Sequence, residues 1–172
     1  MILGLPTSVF TAIHVLLSLV GIGSGFVFVF GLVRDREFNR WTSLFLGTTT
    51  LTSLTGFAFP FHGMTPGIVI GILSMIVLAV AMVARYTLRR AGSSRWIYLV
   101  SAMLALYFNV FVLIAQSFEK VPALKDLAPT QSEPPFAIAQ LAVLALFVAI
   151  TVRALKRFHT GAVHTAELQQ VR

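Results

Sequence analysis

The side chains of this sequence that could do chemistry are uncharged polar groups placed within or beside long apolar runs. Two imidazoles and three carboxamides belong to this set: His14, His62, Asn109, Gln116 and Gln140. Each can donate and accept hydrogen bonds, and each would cost about 1–3 kcal/mol if it were buried without a partner. We therefore expect these five side chains to share a polar cavity, in which they bind one another, water or a small molecule.

Charged and nucleophilic groups are missing from the apolar runs. No Asp, Glu, Lys or Arg lies in the central part of a run, although ion-coupled carriers usually keep such a residue there. Cysteine is absent from the chain, which excludes thiolate catalysis and a metal held by cysteines. We therefore predict no catalytic residue and no metal site, and we expect a protein that is not an enzyme.

A redox cofactor is an alternative that the two histidines leave open. His14 and His62 could ligate haem, or hydrogen-bond a quinone, if they lay at matching depths in the membrane. Counted along the chain, His14 lies about two helical turns below the membrane surface and His62 lies at its edge. This mismatch predicts that the protein has no cofactor, and a haem- or quinone-binding redox subunit stays the alternative.

The elements that must position these groups are membrane-spanning helices. Of the 172 residues, 57% are apolar and 11% are charged, whereas a soluble domain carries about 25% charged residues. About 20 residues at ~1.5 Å each cross a hydrocarbon core of ~30 Å, and a backbone without water there must be helical. The predicted fold is an all-α integral membrane bundle of five transmembrane helices, at residues 8–33, 41–61, 67–86, 96–118 and 136–157.

The basic residues indicate the orientation of this bundle. Eleven of the thirteen Lys and Arg residues lie in alternate gaps, within 34–40, 85–95 and 153–172, whereas Lys120 and Lys125 lie in the remaining gaps. Because Lys and Arg are retained on the cytoplasmic side, we predict that the N-terminus is outside and the C-terminus is cytoplasmic. Residues 1–158 then form a transmembrane domain, and 159–172 form a flexible cytoplasmic tail.

Small and hydroxyl side chains form stripes at helical spacing along the predicted helices. One face of the first helix carries His14, Ser18, Gly21 and Gly25, and one face of the second carries Thr48, Thr52, Thr55 and His62. Small residues let membrane helices pack closely, and hydroxyl groups form hydrogen bonds between them. A purely structural packing partner is therefore a second alternative function.

The long connection at 119–135 contains a second set of local signals. Val121, Leu124 and Leu127 recur at helical spacing around Pro122, which predicts a short helix on the outer surface. Ser132 stands just before two prolines and the last apolar run, so we expect its side chain to cap the N-terminus of the fifth transmembrane helix.

Three phrases of the chain carry a resemblance to a known group of proteins. They are WTSLFLGTTTLTSLTGFAFPFHG, RWIYLVSAMLALYFNVFVLIAQSFEKVPAL and LAPTQSEPPF. Together, over about residues 11–158, the chain resembles a family of small, uncharacterised, polytopic inner-membrane proteins of bacteria. The resemblance implies the bacterial cytoplasmic membrane as the location, and it implies no activity, cofactor or site.

The sequence favours a non-enzymatic, multi-pass membrane protein. We expect it to bind or pass a small neutral or polar molecule through an outer-facing cavity, or to act as an accessory subunit. The expected partners are the lipid bilayer and either a second copy of the chain or another membrane protein. Nucleic acid is not expected, because the basic residues stand at the ends of apolar runs and face lipid headgroups.

Overall fold

In the part of the chain that the structure describes, the protein is built mainly from helices. The computed structural model describes residues 1–34, 36, 38–60, 63, 65–88 and 93–170, the side chains of 157–170 excepted. The helices are α1 (Thr7–Arg34), α2 (Asn39–Gly56), α3 (Pro66–Met82, continued by a π-helical turn at Val83–Thr87), α4 (Ser94–Lys120), α5 (Pro122–Leu127) and α6 (Pro134–Gln170). Among the described residues, no strand is formed beyond an isolated bridge between Ile2 and Leu5.

Four of these helices are long and apolar enough to cross a membrane. They are α1, α3 with its π-helical turn, α4, and the part of α6 at Pro134–Lys156. The structure thus has the all-helical, multi-pass character that composition predicts. α2 is not among the four, because Asn39, Arg40 and six threonines lower its hydropathy. It is also shorter than the predicted run 41–61, and ends at Gly56, four residues before Pro60.

α4 is the central helix of the bundle. It contacts α1, α2, α3, α5 and α6. Half of the most apolar 18-residue stretch of α4 is buried, compared with 11% of the corresponding stretch of α6. Leu99, Ala102, Ala105 and Leu106 of α4 are buried completely or almost so. α1 and α2 form an antiparallel hairpin against one side of α4, and α6 packs mainly on α4.

The two ends of the bundle differ in charge. One end, which we call the basic end, carries seven described basic residues: Arg34, Arg36, Arg40, Arg85, Arg95, Arg153 and Lys156. The opposite end, which we call the distal end, contains the start of α1, the connection from α2 to α3, and Lys120 and Lys125. α3 begins at the distal end with a regular cap, in which the Thr65 side chain accepts a hydrogen bond from the Ile68 amide and Pro66 follows.

The long connection follows the prediction in one part and departs from it in another. The short helix predicted after Pro122 is confirmed as α5. The prediction that Ser132 caps the last helix is wrong. α6 begins at Pro134, the carbonyl of Glu133 accepts its first amide hydrogen bonds, and the Ser132 hydroxyl contacts that of Thr130. Pro134 and Pro135 lack amide hydrogens, so a side-chain cap has fewer donors to satisfy at this terminus.

The C-terminal helix is longer than the predicted transmembrane segment. α6 runs from Pro134 to Gln170, past the predicted end at residue 157 and through most of the segment 159–172 that we expect to be a flexible tail. The side chains of 157–170 and the last two residues lie outside the described part of the chain.

Candidate functional site

The facing residues of α1 and α2 follow a regular antiparallel register. Nδ1 of His14 lies 2.8 Å from Oγ1 of Thr55, and about two turns further along α1, Gly21 lies against Thr48 and Thr49. Between these two contacts, the register brings Ser18 of α1 and Thr52 of α2 to the same level. Uncharged polar side chains therefore line this part of the hairpin on both helices.

Gly21 lets α1 approach α2 and α4 at the centre of the bundle. A Cβ atom at this position would lie 3.0 Å from Oγ1 of Thr49 and 3.2 Å from Nδ2 of Asn109. Distances this short leave little room for a side chain, so the glycine face predicted from sequence does allow three helices to pack closely here.

Asn109 joins α4 to both helices of the hairpin. Its side chain is 8% exposed, and its Oδ1 accepts a hydrogen bond of 3.1 Å from the Ser18 hydroxyl. Its Nδ2 donates to Oγ1 of Thr49 over 3.5 Å. Because one carboxamide is bonded to α1 and to α2, it fixes the three helices relative to one another. We call the group of His14, Ser18, Thr49, Thr52, Thr55 and Asn109 the polar seam.

His14 forms the distal part of the polar seam. The Thr55 hydroxyl lies within hydrogen-bonding distance of the carbonyls of Leu51, at 2.8 Å, and Thr52, at 3.0 Å. When it donates to these carbonyls, its oxygen accepts from Nδ1 of His14. A neutral imidazole that donates through Nδ1 keeps a lone pair on Nε2. The half-buried His14 thus presents a hydrogen-bond acceptor, beside the ring of Phe59.

Thr52 has a hydroxyl group without a hydrogen-bond partner in the described residues. The residue is 9% exposed, and its Oγ1 is buried. The other buried hydroxyl groups of α2 have partners, since Thr42 and Thr48 donate to carbonyls one turn earlier and Thr49 accepts from Asn109. In the orientation that the Thr52 side chain adopts, its hydroxyl makes no such bond, and a molecule bound beside it would satisfy it. Within the described residues, the polar seam therefore lacks one hydrogen-bond partner, that of the Thr52 hydroxyl.

Apolar side chains close the polar seam toward the basic end. Gly25 packs against Leu106 and Phe45, so closely that a Cβ atom would overlap Leu106. The rings of Phe28 and Phe45 stack with their centroids 5.7 Å apart, and Phe28 meets Tyr98 edge to face. Hydrocarbon and aromatic groups therefore pack between α1, α2 and α4 in this half, where the buried hydroxyls of Ser24 and Thr42 are bonded to their own helices.

The remaining predicted site residues do not join the polar seam. Gln116 is exposed, and its Nε2 donates to Oε2 of Glu119 over 3.2 Å. Gln140 is buried, but in the interface of α4 and α6, where its Nε2 donates to the carbonyl of Phe111. Phe111 is two positions after Asn109, about 200° around the helix, so Gln140 lies on another side of α4. His62 lies outside the described residues.

Four members of the polar seam are hydroxyl residues that sequence reasoning did not select as site residues. Ser18, Thr52 and Thr55 stood on the predicted stripes of the first two helices, so helical spacing indicated their direction. Thr49 lies one position away from its stripe, and the sequence contains no signal for its contact with Asn109.

Comparison with known proteins gives no relative for this chain. No family model, no curated protein and no solved structure matches it. The geometry of the polar seam is therefore the basis for assigning a function.

Proposed function

We propose that this protein is a non-enzymatic, multi-pass protein of the bacterial cytoplasmic membrane that binds a small neutral molecule in the polar seam. The buried, unpartnered hydroxyl of Thr52 is the observation that carries this proposal. Around it, the seam contains hydrogen-bonding groups from three helices and no Asp, Glu, Lys or Arg. Such a set suits an uncharged ligand, since a charged one would lose its hydration without gaining a counter-ion.

The ligand is defined by the groups that it must satisfy. In the tautomer that donates to Thr55, Nε2 of His14 accepts a hydrogen bond from the ligand. The Thr52 hydroxyl donates one to it. A hydroxyl or a carboxamide group on a small molecule supplies both. Binding is favoured over passage through the protein, because Phe28, Phe45 and Leu106 fill the interface beyond the seam. The ligand would enter and leave at the distal end.

We also propose that α2 is a fifth membrane-spanning helix, with the N-terminus outside and the C-terminus cytoplasmic. Its 18 residues reach about 27 Å at 1.5 Å each. Four of its threonines, at 42, 48, 50 and 55, donate to carbonyls one turn earlier, which hides their hydroxyl groups from lipid. Among the described residues, basic side chains are far more numerous at the basic end than at the distal end. This difference supports a cytoplasmic location for the basic end.

The absence of cysteine makes a direct test of the seam straightforward, because one introduced thiol is the single reactive site. In Ser18→Cys, the thiol lies in the seam, next to Asn109. In Ser24→Cys, the matched control on the same helix, it takes the place of a side chain that is 2% exposed and bonded to carbonyls of its own helix. We expect a small, water-soluble methanethiosulfonate to modify the first variant faster than the second. Equal, slow modification of both would contradict a seam that opens to solutes.

Protection from modification then tests the ligand class. Glycerol and acetamide, which carry neutral donors and acceptors, should slow the modification of Ser18→Cys, and sodium acetate at the same concentration should not. Adding His14→Phe should abolish this protection, whereas Gln116→Leu should leave it intact. If neither neutral probe protects the thiol, the seam holds water alone and the proposal is wrong.

A further inference from the structure

Arg85 occupies an unusual position at the basic end of the bundle. It lies in the π-helical turn Val83–Thr87 that ends α3, a type of turn that is often found at functional positions. Its Nη1 donates to the hydroxyl of Tyr98 over 3.1 Å, and its Nη2 donates to Oδ1 of Asn39 over 2.9 Å. The side chain therefore connects α3 with α4 and with the beginning of α2.

The guanidinium group is held in place by neutral groups. The rings of Tyr86 and Tyr98 both lie 5.5 Å from its Cζ atom, and the Tyr86 hydroxyl lies 3.1 Å from that of Ser43. In the described part of the chain, no carboxylate forms an ion pair with Arg85. Its positive charge is half-buried, positioned by hydrogen bonds and aromatic faces, and not neutralised by these partners.

The partners of Arg85 among the described residues use only part of its hydrogen-bonding capacity. A guanidinium group has five N–H donors in a planar arrangement, and two of them are used by Tyr98 and Asn39. The remaining donors can bind two oxygens of one tetrahedral anion, which is the geometry that arginine uses with phosphate. Arg40 follows Asn39 in α2, so a second described basic residue lies on this part of the chain.

We infer that Arg85, fixed by Asn39 and Tyr98, is a binding site for a phosphate group at the basic end of the bundle. A phosphate of this kind is available from an anionic phospholipid headgroup or from free phosphate in solution. This site is separate from the polar seam, and its test does not depend on the ligand proposed there.

Thermal unfolding in mixed micelles tests the site, with the fluorescence of Trp41 and Trp96 as the signal. Phosphatidylglycerol should raise the melting temperature of the wild-type protein more than phosphatidylcholine does. Arg85→Gln should abolish the difference between the two lipids, whereas Arg153→Gln, an equal change of charge at an exposed position of the same end, should retain it. Inorganic phosphate, compared with chloride at equal ionic strength, shows whether free phosphate also binds.

The outcomes separate a binding role from a structural one. If Arg85→Gln melts at a lower temperature but keeps the full effect of phosphatidylglycerol, Arg85 is a structural connection and the inference is wrong. If Arg85→Gln does not fold, Arg85→Lys decides, because lysine keeps the charge and loses the paired donors. We expect Arg85→Lys to need roughly tenfold more phosphatidylglycerol for half of its effect, as one charge-assisted hydrogen bond is lost. An unchanged requirement would overturn the inference.

Discussion

Replacing Asn109 by alanine removes the side chain that joins α1, α2 and α4. The wild-type carboxamide accepts a hydrogen bond from Ser18 at 3.1 Å and donates a long one to Thr49 at 3.5 Å. Hydrogen bonds between membrane helices contribute about 0.6 kcal/mol on average and up to about 1.7 kcal/mol. The loss of two such bonds reduces the free energy of unfolding by roughly 1–3 kcal/mol.

Two further effects modify this value in opposite directions. The hydroxyl groups of Ser18 and Thr49 can turn toward carbonyls one turn earlier, as Thr48 and Thr55 already do, which recovers part of the loss. The deleted carboxamide leaves a small cavity in a tightly packed interface, which adds to the loss. We therefore expect Asn109→Ala to unfold with about 1–3 kcal/mol less free energy than the wild type.

Reversible unfolding in mixed micelles of increasing dodecyl sulfate content measures this difference, with tryptophan fluorescence as the signal. A double-mutant cycle with Ser18→Ala should give a coupling energy of about 0.5–1.7 kcal/mol, because the two side chains share a hydrogen bond. Gln116→Ala, the control for loss of an exposed carboxamide on the same helix, should stay within about 0.5 kcal/mol of the wild type. A change in Asn109→Ala as small as that of the control would refute the bonding of the seam.

Four further results are expected. Gly21→Ala should lower the free energy of unfolding by about 1–3 kcal/mol, because its Cβ would lie 3.0 Å from a threonine hydroxyl. Gly23→Ala is the control, because nothing lies within 4 Å of its Cβ, and it should not lower the free energy of unfolding. Equal effects of the two substitutions would contradict the packing at Gly21. Single cysteines should react with an impermeant thiol reagent in intact cells at Ser132 and not at Ser93, and the reverse pattern would exclude the proposed orientation. Desolvation raises the pKa of the Glu133 carboxyl, but hydrogen bonds from neighbouring groups of the connection outweigh it and leave the pKa below 4.5. The ionised Glu133 therefore stabilises the fold above pH 4.5, and this stabilisation is lost as the pH falls below that value. The melting temperature of Glu133→Gln should vary less with pH below 4.5 than that of the wild type. The purified protein should show no Soret band, and a stoichiometric band that is lost both in His14→Ala and in His62→Ala would establish the haem alternative.

Hydropathy and helical spacing predicted most of the helices of this protein, but not the properties of α2. The four helices with long apolar runs correspond to four of the predicted segments, because a backbone in hydrocarbon has few alternatives to a helix. The end of α2 at Gly56 depends on local bonding, in which the amides of Phe57 and Ala58 turn back to the carbonyls of Leu54 and Thr55. The run 41–61 contains no comparable signal at that point.

The candidate site shows where helical spacing stops being informative. Asn109 and Gln116 lie seven residues apart and on the same face of α4, yet Asn109 is buried and Gln116 is exposed. Spacing gives the direction of a side chain around its helix, but not how far the neighbouring helices extend along it. The position of Gln140 on another side of α4 depends in the same way on which helices are neighbours, and this information is absent from a single sequence.

The low hydropathy of α2 affects how the chain is assembled during its synthesis. A segment enters the bilayer from the translocon when its leucines and phenylalanines outweigh its polar residues, and α2, with Arg40, Asn39 and six threonines, gains little by entering alone. In the proposed five-span topology, α1 emerges first and offers the glycine face against which the threonines of α2 pack. The two helices would then leave the translocon together as a hairpin, and α1 would assist the insertion of α2.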